Sequence, residues 1–349
     1  MKKLTVAVFF GGCSSEYSVS LESASAVLRN LDPEKYQIVP VGITKDGDWF
    51  YYIGEWDRIA SDTWYRETDC IPAVISQSRS DHCLLLLQED GVRKLPVDVA
   101  FPVLHGKNGE DGTVQGVLAL AGIALAGCGV LASAVCMDKD RAHRLAAAAG
   151  VRVPQAVVVT RQDEERARQF ADAIGYPVFV KPVKAGSSYG ISKVTGPQQL
   201  HNALALAFQY DQEVILEETV PGFEVGCAVL GDEQLLTGEV DEIELSGGFF
   251  DFTEKYTLKT SAIHVPARLT PKQAQAVKQT AVTVYRALGC SGFARVDSFL
   301  TPDGEIVFNE VNTIPGFTEH SRYPGMMRAA GYSFGEVLER IIRLAVEHL

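Results

Sequence analysis

The sequence predicts an α/β protein whose N-terminal part is a doubly wound, mainly parallel sheet. Apolar, β-rich runs alternate with helical segments through the first 127 residues, an order that places helices on both faces of a parallel sheet. The chain has 349 residues, enough for roughly two to three domains. Its 46% hydrophobic and 22% charged residues are typical of a globular protein and exclude a disordered or low-complexity chain.

The N-terminal unit is predicted to begin with a strand over Thr5–Phe10, ended by a glycine pair. Leucine, alanine and valine then recur at helical spacing over Ser20–Leu31, and a second strand follows over Ile38–Ile43. Residues 45–90 are irregular and aromatic-rich, and no structure is assigned to them. A buried strand over Val97–Leu104 runs into a glycine-rich loop, and the unit ends near residue 127.

One stretch imitates a membrane span. Residues 116–137 contain no charged side chain and are long enough to cross a bilayer. Four glycines break this stretch into short pieces, which favours a helix, a strand and the start of another helix within a large core. The apolar run after Met1 is likewise better explained as a first strand than as a signal peptide.

The rest of the chain predicts a small α+β unit followed by a long helix, a hairpin and a C-terminal helix. The predicted elements are a helix from Ser133 to Ala149, a helix over Gln162–Ile174, a strand over Tyr176–Lys181, a helix over Leu200–Tyr210, a strand over Glu213–Glu217, a helix over Pro271–Leu288 and a last helix from Phe334.

Charge and cysteine content exclude some functions. The 44 acidic and 32 basic residues give a net charge of −12, so a nucleic-acid partner is disfavoured. The seven cysteines are widely spread and form no C-x-x-C pair. We therefore expect free thiols in a reducing cytoplasm, with neither a zinc site nor a disulfide framework.

The predicted hairpin at 293–312 carries the strongest chemical signal. If its turn centres on Asp303-Gly304, Arg295 faces Asn312 and Asp297 faces Glu310, all on one face of the hairpin. Two carboxylates and an amide supply hard oxygen ligands for Mg²⁺. A solvated strand face with one salt bridge is the alternative, and a turn of odd length would break this register.

A loop rich in glycine and serine, from Lys181 to Gly190, could wrap phosphate oxygens with its backbone amides. It is not a P-loop, and no G-x-G-x-x-G follows the first strand. Further polar side chains stand at predicted strand ends, where α/β proteins place their sites: Glu16, His105, and Glu217 with Glu218.

These segments together resemble the D-alanine–D-alanine ligase family of ATP-grasp enzymes, and within it the VanG-type D-alanine–D-serine ligases of vancomycin resistance. The resemblance runs nearly end to end. It is carried by Gly11 to Glu16 with Val19-Ser20, His105 to Gly112, Met137 to Lys139, Lys181 to Gly190, Glu254 to Tyr256, and Asn309 to Gly316.

The resemblance implies a three-domain ATP-grasp fold, with domains at 1–127, 128–220 and 221–349. It implies that ATP phosphorylates the carboxylate of D-alanine, and that the amine of a second D-amino acid attacks the acyl phosphate. ATP and two Mg²⁺ ions, which Mn²⁺ could replace, would be the cofactors. D-alanine and D-serine would be the substrates of a cytoplasmic homodimer with neither a nucleic-acid nor a membrane partner.

The resemblance also implies roles for individual residues. The catalytic residues would be Glu16, Ser187, Tyr256, Arg295, Gly316 and Ser321. The substrates would be bound by His105, Asp241, Phe250, Lys255, Ser321 and Arg322. ATP would be bound by Lys139, Phe179, Lys181, Ser187, Ser188, Glu217, Glu218, Glu224, Lys255 and Asn309. Asp297, Glu310 and Asn312 would bind the two metal ions.

The identity of the second substrate is predicted from Arg322. The resemblance places this residue where D-alanyl-D-alanine-forming enzymes carry an aliphatic side chain, so its donors could bind a serine hydroxyl. Two alternatives stay open. Arg322 could point to solvent in a housekeeping D-alanine–D-alanine ligase, or the chain could be a catalytically silent protein that binds ATP or an amino acid.

Overall fold

The first sheet contains the N-terminal strands. A computed structural model describes residues 3–245 and 261–347. Eight strands pair in the order β6-β5-β4-β3-β2-β1-β7-β8. They are β1 (Leu4–Gly11), β2 (Tyr36–Ile43), β3 (Trp49–Tyr52), β4 (Cys70–Ile75), β5 (Cys83–Gln88), β6 (Gly91–Pro96), β7 (Val99–Pro102) and β8 (Ala124–Leu125). The helices of this part are α1 (Tyr17–Asn30), α2 (Asp57–Ala60) and α3 (Thr113–Ala121).

Only half of this sheet is parallel. The predicted strands β2, β1 and β7, with β8, form the parallel half, as expected. The segment 45–90, left unassigned by the sequence, adds β3 to β6 as an antiparallel extension. Its aromatic residues explain why it packs there: the buried ring of Trp64 meets Phe10 and Tyr52 edge to face.

The second sheet lies in the middle of the chain. Its strands are β9 (Ala156–Val159), β10 (Val178–Pro182), β11 (Ser192–Val194) and β12 (Val214–Glu218), in the antiparallel order β11-β10-β12-β9. Helices α6 (Glu164–Ile174) and α7 (Pro197–Ala207) pack on it. The prediction of one helix over 133–149 is wrong. Asp138 leaves the helical conformation between α4 (Val130–Met137) and α5 (Lys139–Ala148), where its side chain accepts from the Arg141 amide as an N-cap.

The third sheet carries the predicted hairpin. Its strands pair in the order β16-β15-β13-β17-β18, with β14 beside β13. They are β13 (Phe223–Gly231), β14 (Leu235–Thr237), β15 (Asp241–Leu245), β16 (Ser261–His264), β17 (Phe293–Leu300) and β18 (Ile306–Asn312). Helix α8 (Pro271–Ala287) packs against this sheet, and α9 (Arg322–Ala329) and α10 (Phe334–Glu347) follow.

The C-terminal helices return to the first sheet. One apolar core contains Phe101 of β7, Phe293 of β17, Phe317, and Tyr323 of α9. This shared core brings the residues that follow β18 next to the ends of β1 and β7. The predicted domain limits stay a prediction. No helix within 3–245 and 261–347 is both long and apolar enough to cross a membrane, and the seven cysteines are free thiols.

Candidate active site

The hairpin pairs its four polar residues as predicted. Arg295 lies opposite Asn312, and Asp297 lies opposite Glu310. The register shifts after Asp297, where β18 accommodates one extra residue at Asn309, and the loop from 301 to 305 has an odd number of residues. The loop is centred on Asp303 rather than between Asp303 and Gly304, so the predicted turn centre is wrong by half a residue. The bulge compensates for the odd loop, and the predicted pairing is confirmed.

Asp297 is the centre of this polar face. It is almost fully buried. Arg295 donates to it from Nε at 2.8 Å and from Nη2 at 2.7 Å, and the amide nitrogen of Asn312 donates at 2.9 Å. Burial acts to lower the pKa of Arg295, but the Asp297 carboxylate, together with Asp241, holds that pKa above its usual value. The alternative of a solvated strand face is therefore wrong.

The oxygen donors fit a Mg²⁺ ion that completes its coordination with phosphate and water. The predicted ligands Asp297, Glu310 and Asn312 are two carboxylates and an amide, which are hard oxygen donors. Within the described ranges there is no group of three or more histidine, cysteine or acidic side chains that could hold an ion by itself. Mg²⁺ usually keeps several waters and binds substrate phosphates, so one or two protein carboxylates are enough to hold it.

A row of residues crosses four strands beneath Arg322. Asp241 of β15 pairs with Gly226 of β13, which pairs with Asp297 of β17, which pairs with Glu310 of β18. A Cβ atom on Gly226 would lie 2.4 Å from Nη2 of Arg322 and 2.7 Å from Oδ1 of Asp241. Only glycine therefore leaves room for the guanidinium between the two aspartates.

Arg322 is held by three carboxylates. Its Nε and Nη2 donate to the two oxygens of Asp241 at 2.7 and 2.8 Å, and its Nη1 donates to Glu224 at 2.7 Å. Nη2 also lies 3.3 Å from Oδ1 of Asp297. Burial acts to lower the pKa of Arg322, but Asp241 and Asp297 raise it well above its usual value. The alternative that Arg322 points to solvent is wrong.

A first cavity of about 380 Å³ collects most of the residues predicted to bind the amino acids. The predicted residues that line it are Glu16, His105, Ser187, Arg295, Asn312, Gly316, Ser321 and Arg322. Asp241 does not line it, because this residue lies fully buried behind Arg322.

Glu16 lies at the wall of the first cavity where β1 passes into α1. The hydroxyl of Ser187 donates to its carboxylate, joining the glycine-rich loop to the N-terminal sheet. Two glycines allow this approach, since a Cβ atom on Gly106 or Gly186 would lie 2.5 or 2.9 Å from Oε2 of Glu16. The third predicted member of this set, Tyr256, lies outside the described residues, as do Phe250 and Lys255.

His105 is a buried, neutral side chain at the end of the β7 segment. Its Nδ1 lies 2.9 Å from the carbonyl oxygen of Ile314, which can only accept, so Nδ1 carries the hydrogen. Burial lowers its pKa to about 4. The imidazole therefore connects the glycine-rich loop to the segment after β18 without adding charge to the cavity.

Sequence reasoning assigned no role to Glu110, although it stands in the same loop as His105. Its carboxyl group accepts from the amides of Gly106 at 2.8 Å and Ile314 at 3.3 Å. Burial, followed by the negative charge of Glu16, raises its pKa from 4.5 to about 8. An acidic residue inside a glycine-rich loop at a strand end was the signal that could have identified it.

A second cavity of about 320 Å³ collects most of the residues predicted to bind ATP, but Ser187 lines the first cavity instead, and Lys255 lies outside the described residues. The predicted residues that line it are Lys139, Phe179, Lys181, Ser188, Glu217, Glu218, Glu224, Asn309 and Glu310. The hairpin thus contributes to both cavities, Arg295 and Asn312 to the first and Glu310 to the second.

The second cavity has the polarity that a purine nucleotide needs. Lys139 and Lys181 provide positive charge for phosphates, and Lys181 lies 2.6 Å from Oε2 of Glu217. Burial opposes ionisation of Glu217, but Lys181 and then His143 lower its pKa, so it is a carboxylate. Its buried Oε1 has no hydrogen-bond partner among the described residues. That acceptor fits the exocyclic amine of adenine.

His143 was also missed. It lies one helical turn after Lys139 on α5, donates from Nε2 to the carbonyl oxygen of Asn309 at 2.8 Å, and has Nδ1 3.9 Å from Oε1 of Glu217. It therefore supports both the bulge that places Glu310 and the buried wall of the second cavity. The i, i+4 spacing from Lys139 was the available signal.

Comparisons with known proteins identify the family of this chain. Residues 5–128 match the family model described as the D-ala D-ala ligase N-terminus, and residues 145–343 match the D-ala D-ala ligase C-terminus. The chain is 44% identical to the vancomycin C-type resistance protein VanC1 of Enterococcus gallinarum, over 99% of both chains. It is 40% identical to a D-alanine–D-alanine ligase of Caldicellulosiruptor bescii, over 99% of this chain and 96% of the relative.

The fold matches solved ligases of the same kind. The crystal structure of the VanG D-Ala:D-Ser ligase from Enterococcus faecalis superposes with a TM-score of 0.92 at 55% identity, covering 99% of this chain and 100% of that one. The D-alanine–D-alanine ligase from Coxiella burnetii superposes with a TM-score of 0.86 at 30% identity, covering 100% of this chain and 95% of that one.

Proposed function

Since this chain belongs to the D-alanine–D-alanine ligase family of ATP-grasp enzymes and is a ligase of the D-Ala–D-X type, we propose that its second substrate is D-serine. The observation that carries this proposal is Arg322, a buried arginine that lines the first cavity and is fixed by Asp241 and Glu224. A fixed hydrogen-bond donor in that wall favours a substrate with a hydroxyl group over one with a methyl group.

The first cavity would bind both amino acids. Glu16 is the carboxylate suited to the ammonium group of D-alanine, and His105 would line that subsite. Ser321 lies beside Arg322 and would receive the carboxylate of the second substrate together with Lys255. Asp241 would act through Arg322, and Phe250 would shape the same pocket. Ser187, tied to Glu16, would close the glycine-rich loop over the substrates with Tyr256.

The reaction then proceeds in two steps. The carboxylate of D-alanine attacks the terminal phosphorus of ATP, which forms D-alanyl phosphate and releases ADP. The free amine of D-serine attacks the acyl carbon and forms the C–N bond, the nitrogen loses a proton to solvent, and the C–O bond to phosphate breaks so that phosphate departs. Arg295 and the backbone amide of Gly316 would stabilise the oxyanion of the tetrahedral intermediate. Mg²⁺ held by Asp297, Glu310 and Asn312 would neutralise phosphate charge, and Mn²⁺ would substitute for it.

The presence of Arg295, Asp297, Glu310 and Asn312 on one face, with Asp297 buried, supports catalysis over a silent binding protein, which would have had no reason to keep this charged face. We further propose that the protein is a cytoplasmic homodimer without nucleic-acid or membrane partners. Its product would be a modified peptidoglycan precursor dipeptide, as expected for a role in vancomycin resistance.

The test is phosphate release with ATP, Mg²⁺ and D-alanine, with and without D-serine, and identification of the dipeptides by mass. We expect D-alanyl-D-serine as the main product. Mainly D-alanyl-D-alanine would reject D-serine as the second substrate and support the housekeeping alternative. Formation of neither dipeptide would favour the silent binding protein. Removal of divalent metal should abolish phosphate release, and Mn²⁺ should restore it.

A further inference from the structure

One ion pair joins the two cavities. Arg322 lines the first cavity and Glu224 lines the second, and Nη1 of Arg322 donates to Oε1 of Glu224 at 2.7 Å. The two side chains are only 8% and 15% exposed. A charge-assisted hydrogen bond at this depth is strong and weakly screened by salt. A change in the position of one side chain therefore changes the position of the other.

The other contacts of Arg322 fix the plane of its guanidinium, so only the partner of its Nη1 hydrogens can change. Nε and Nη2 are fixed by the two oxygens of Asp241, which is itself fully buried. The backbone of Gly226 lies directly beneath the guanidinium and prevents a shift toward the sheet. Nη1 carries two hydrogens in the fixed plane of the guanidinium, so the position of the Glu224 carboxylate decides how many of them stay available to a substrate in the first cavity.

We infer that Glu224 is a positioning residue through which the nucleotide in the second cavity influences the choice of the second amino acid. Glu224 offers a carboxylate to the second cavity, where sugar hydroxyls of a nucleotide are suitable donors. A hydroxyl bound to that carboxylate fixes its rotamer and so leaves one Nη1 hydrogen of Arg322 available to a hydroxyl-bearing substrate. Two sites joined by one such contact influence each other reciprocally. This inference rests on the proposed function and extends it.

The test is a competition between D-serine and D-alanine for the same D-alanyl phosphate. The dipeptide ratio is measured at saturating ATP, 2′-deoxyATP and 3′-deoxyATP. Both products branch from one intermediate, so a change in nucleotide affinity or in the first step cannot alter the ratio. We expect at least one deoxynucleotide to lower the D-serine share by about fivefold, within the usual range of coupling between sites.

Two variants locate the effect. Glu224→Gln should lower the D-serine share with ATP and make the ratio insensitive to the sugar hydroxyls. Glu213→Gln is the matched control, because Glu213 is also a carboxylate paired with a basic side chain, Lys184, but lines neither cavity. It should retain both the wild-type ratio and its dependence on the sugar.

A binding measurement provides a readout that needs no turnover. D-serine should tighten the binding of a non-hydrolysable ATP analogue to the wild-type protein, and it should do so less for the 2′- or 3′-deoxy form and for Glu224→Gln. An identical dipeptide ratio with all three nucleotides, or an unchanged ratio in Glu224→Gln, would overturn the inference. If no dipeptide forms with any nucleotide, the proposed function fails, and the binding measurement alone decides whether the two cavities are coupled.

Discussion

Replacement of Arg322 by methionine should destabilise the protein strongly even without substrates. Arg322 neutralises Asp241, whose side chain has no solvent exposure, and it shares Asp297 with Arg295. Arg322→Met keeps the side chain's approximate length but leaves the Asp241 carboxylate buried without its cation. Removal of one partner of a buried ion pair typically costs about 3–5 kcal/mol. For a chain of this size, that corresponds to a decrease in Tm of about 4–7 °C.

The assay is thermal unfolding of the ligand-free protein at neutral pH. Arg343→Met is the matched control, because Arg343 and its partner Glu347 are both more than 60% exposed, and loss of such a pair changes stability by less than about 1 kcal/mol. The double variant Arg322→Met with Asp241→Asn removes both charges and should recover most of the lost Tm. A wild-type Tm in Arg322→Met, or no recovery in the double variant, would refute the argument.

Three further predictions concern neighbouring residues. Gly226→Ala brings a methyl group to 2.4 Å from Nη2 of Arg322. This overpacking should cost about 1–3 kcal/mol and lower the Tm. Because it displaces Arg322, it should also lower the D-serine share of the product. Gly325→Ala, which meets nothing within 4 Å, should lower neither. Because the pKa of Glu110 is raised from 4.5 to about 8, its proton stabilises the fold at low pH, and that stabilisation disappears as the pH rises toward 8. The Tm of the wild type relative to Glu110→Gln should therefore decrease between about pH 5 and pH 8, and a constant difference would contradict the raised pKa. Arg295→Ala should abolish ligation, measured as phosphate release, while a titration with a fluorescent ATP analogue shows nearly unchanged nucleotide affinity. Normal turnover in that variant would exclude Arg295 from the mechanism.

Local sequence patterns predicted the strands, helices and pairings that are determined by residues close together in the chain. The pairing of Arg295 with Asn312 and of Asp297 with Glu310 followed from strand periodicity and a turn sequence. Alternation of strands and helices predicted the parallel half of the first sheet. Prediction was wrong at Asp138, where a capping side chain ends one helix and begins the next. No structure was predicted for residues 45–90. The strands there depend on the burial of Trp64 rather than on a repeating pattern.

The sequence by itself determined the glycine-rich loops, the paired carboxylates and the order of the motifs, because these depend on spacing along the chain. Only the tertiary structure decided what Arg322 does. Its partners Asp241 and Glu224 lie 81 and 98 residues away, and they meet it because Gly226 leaves a gap in a sheet that no local pattern reveals. Burial then makes these contacts strong, since a charge removed from water is stable only when an opposite charge within the fold pairs with it.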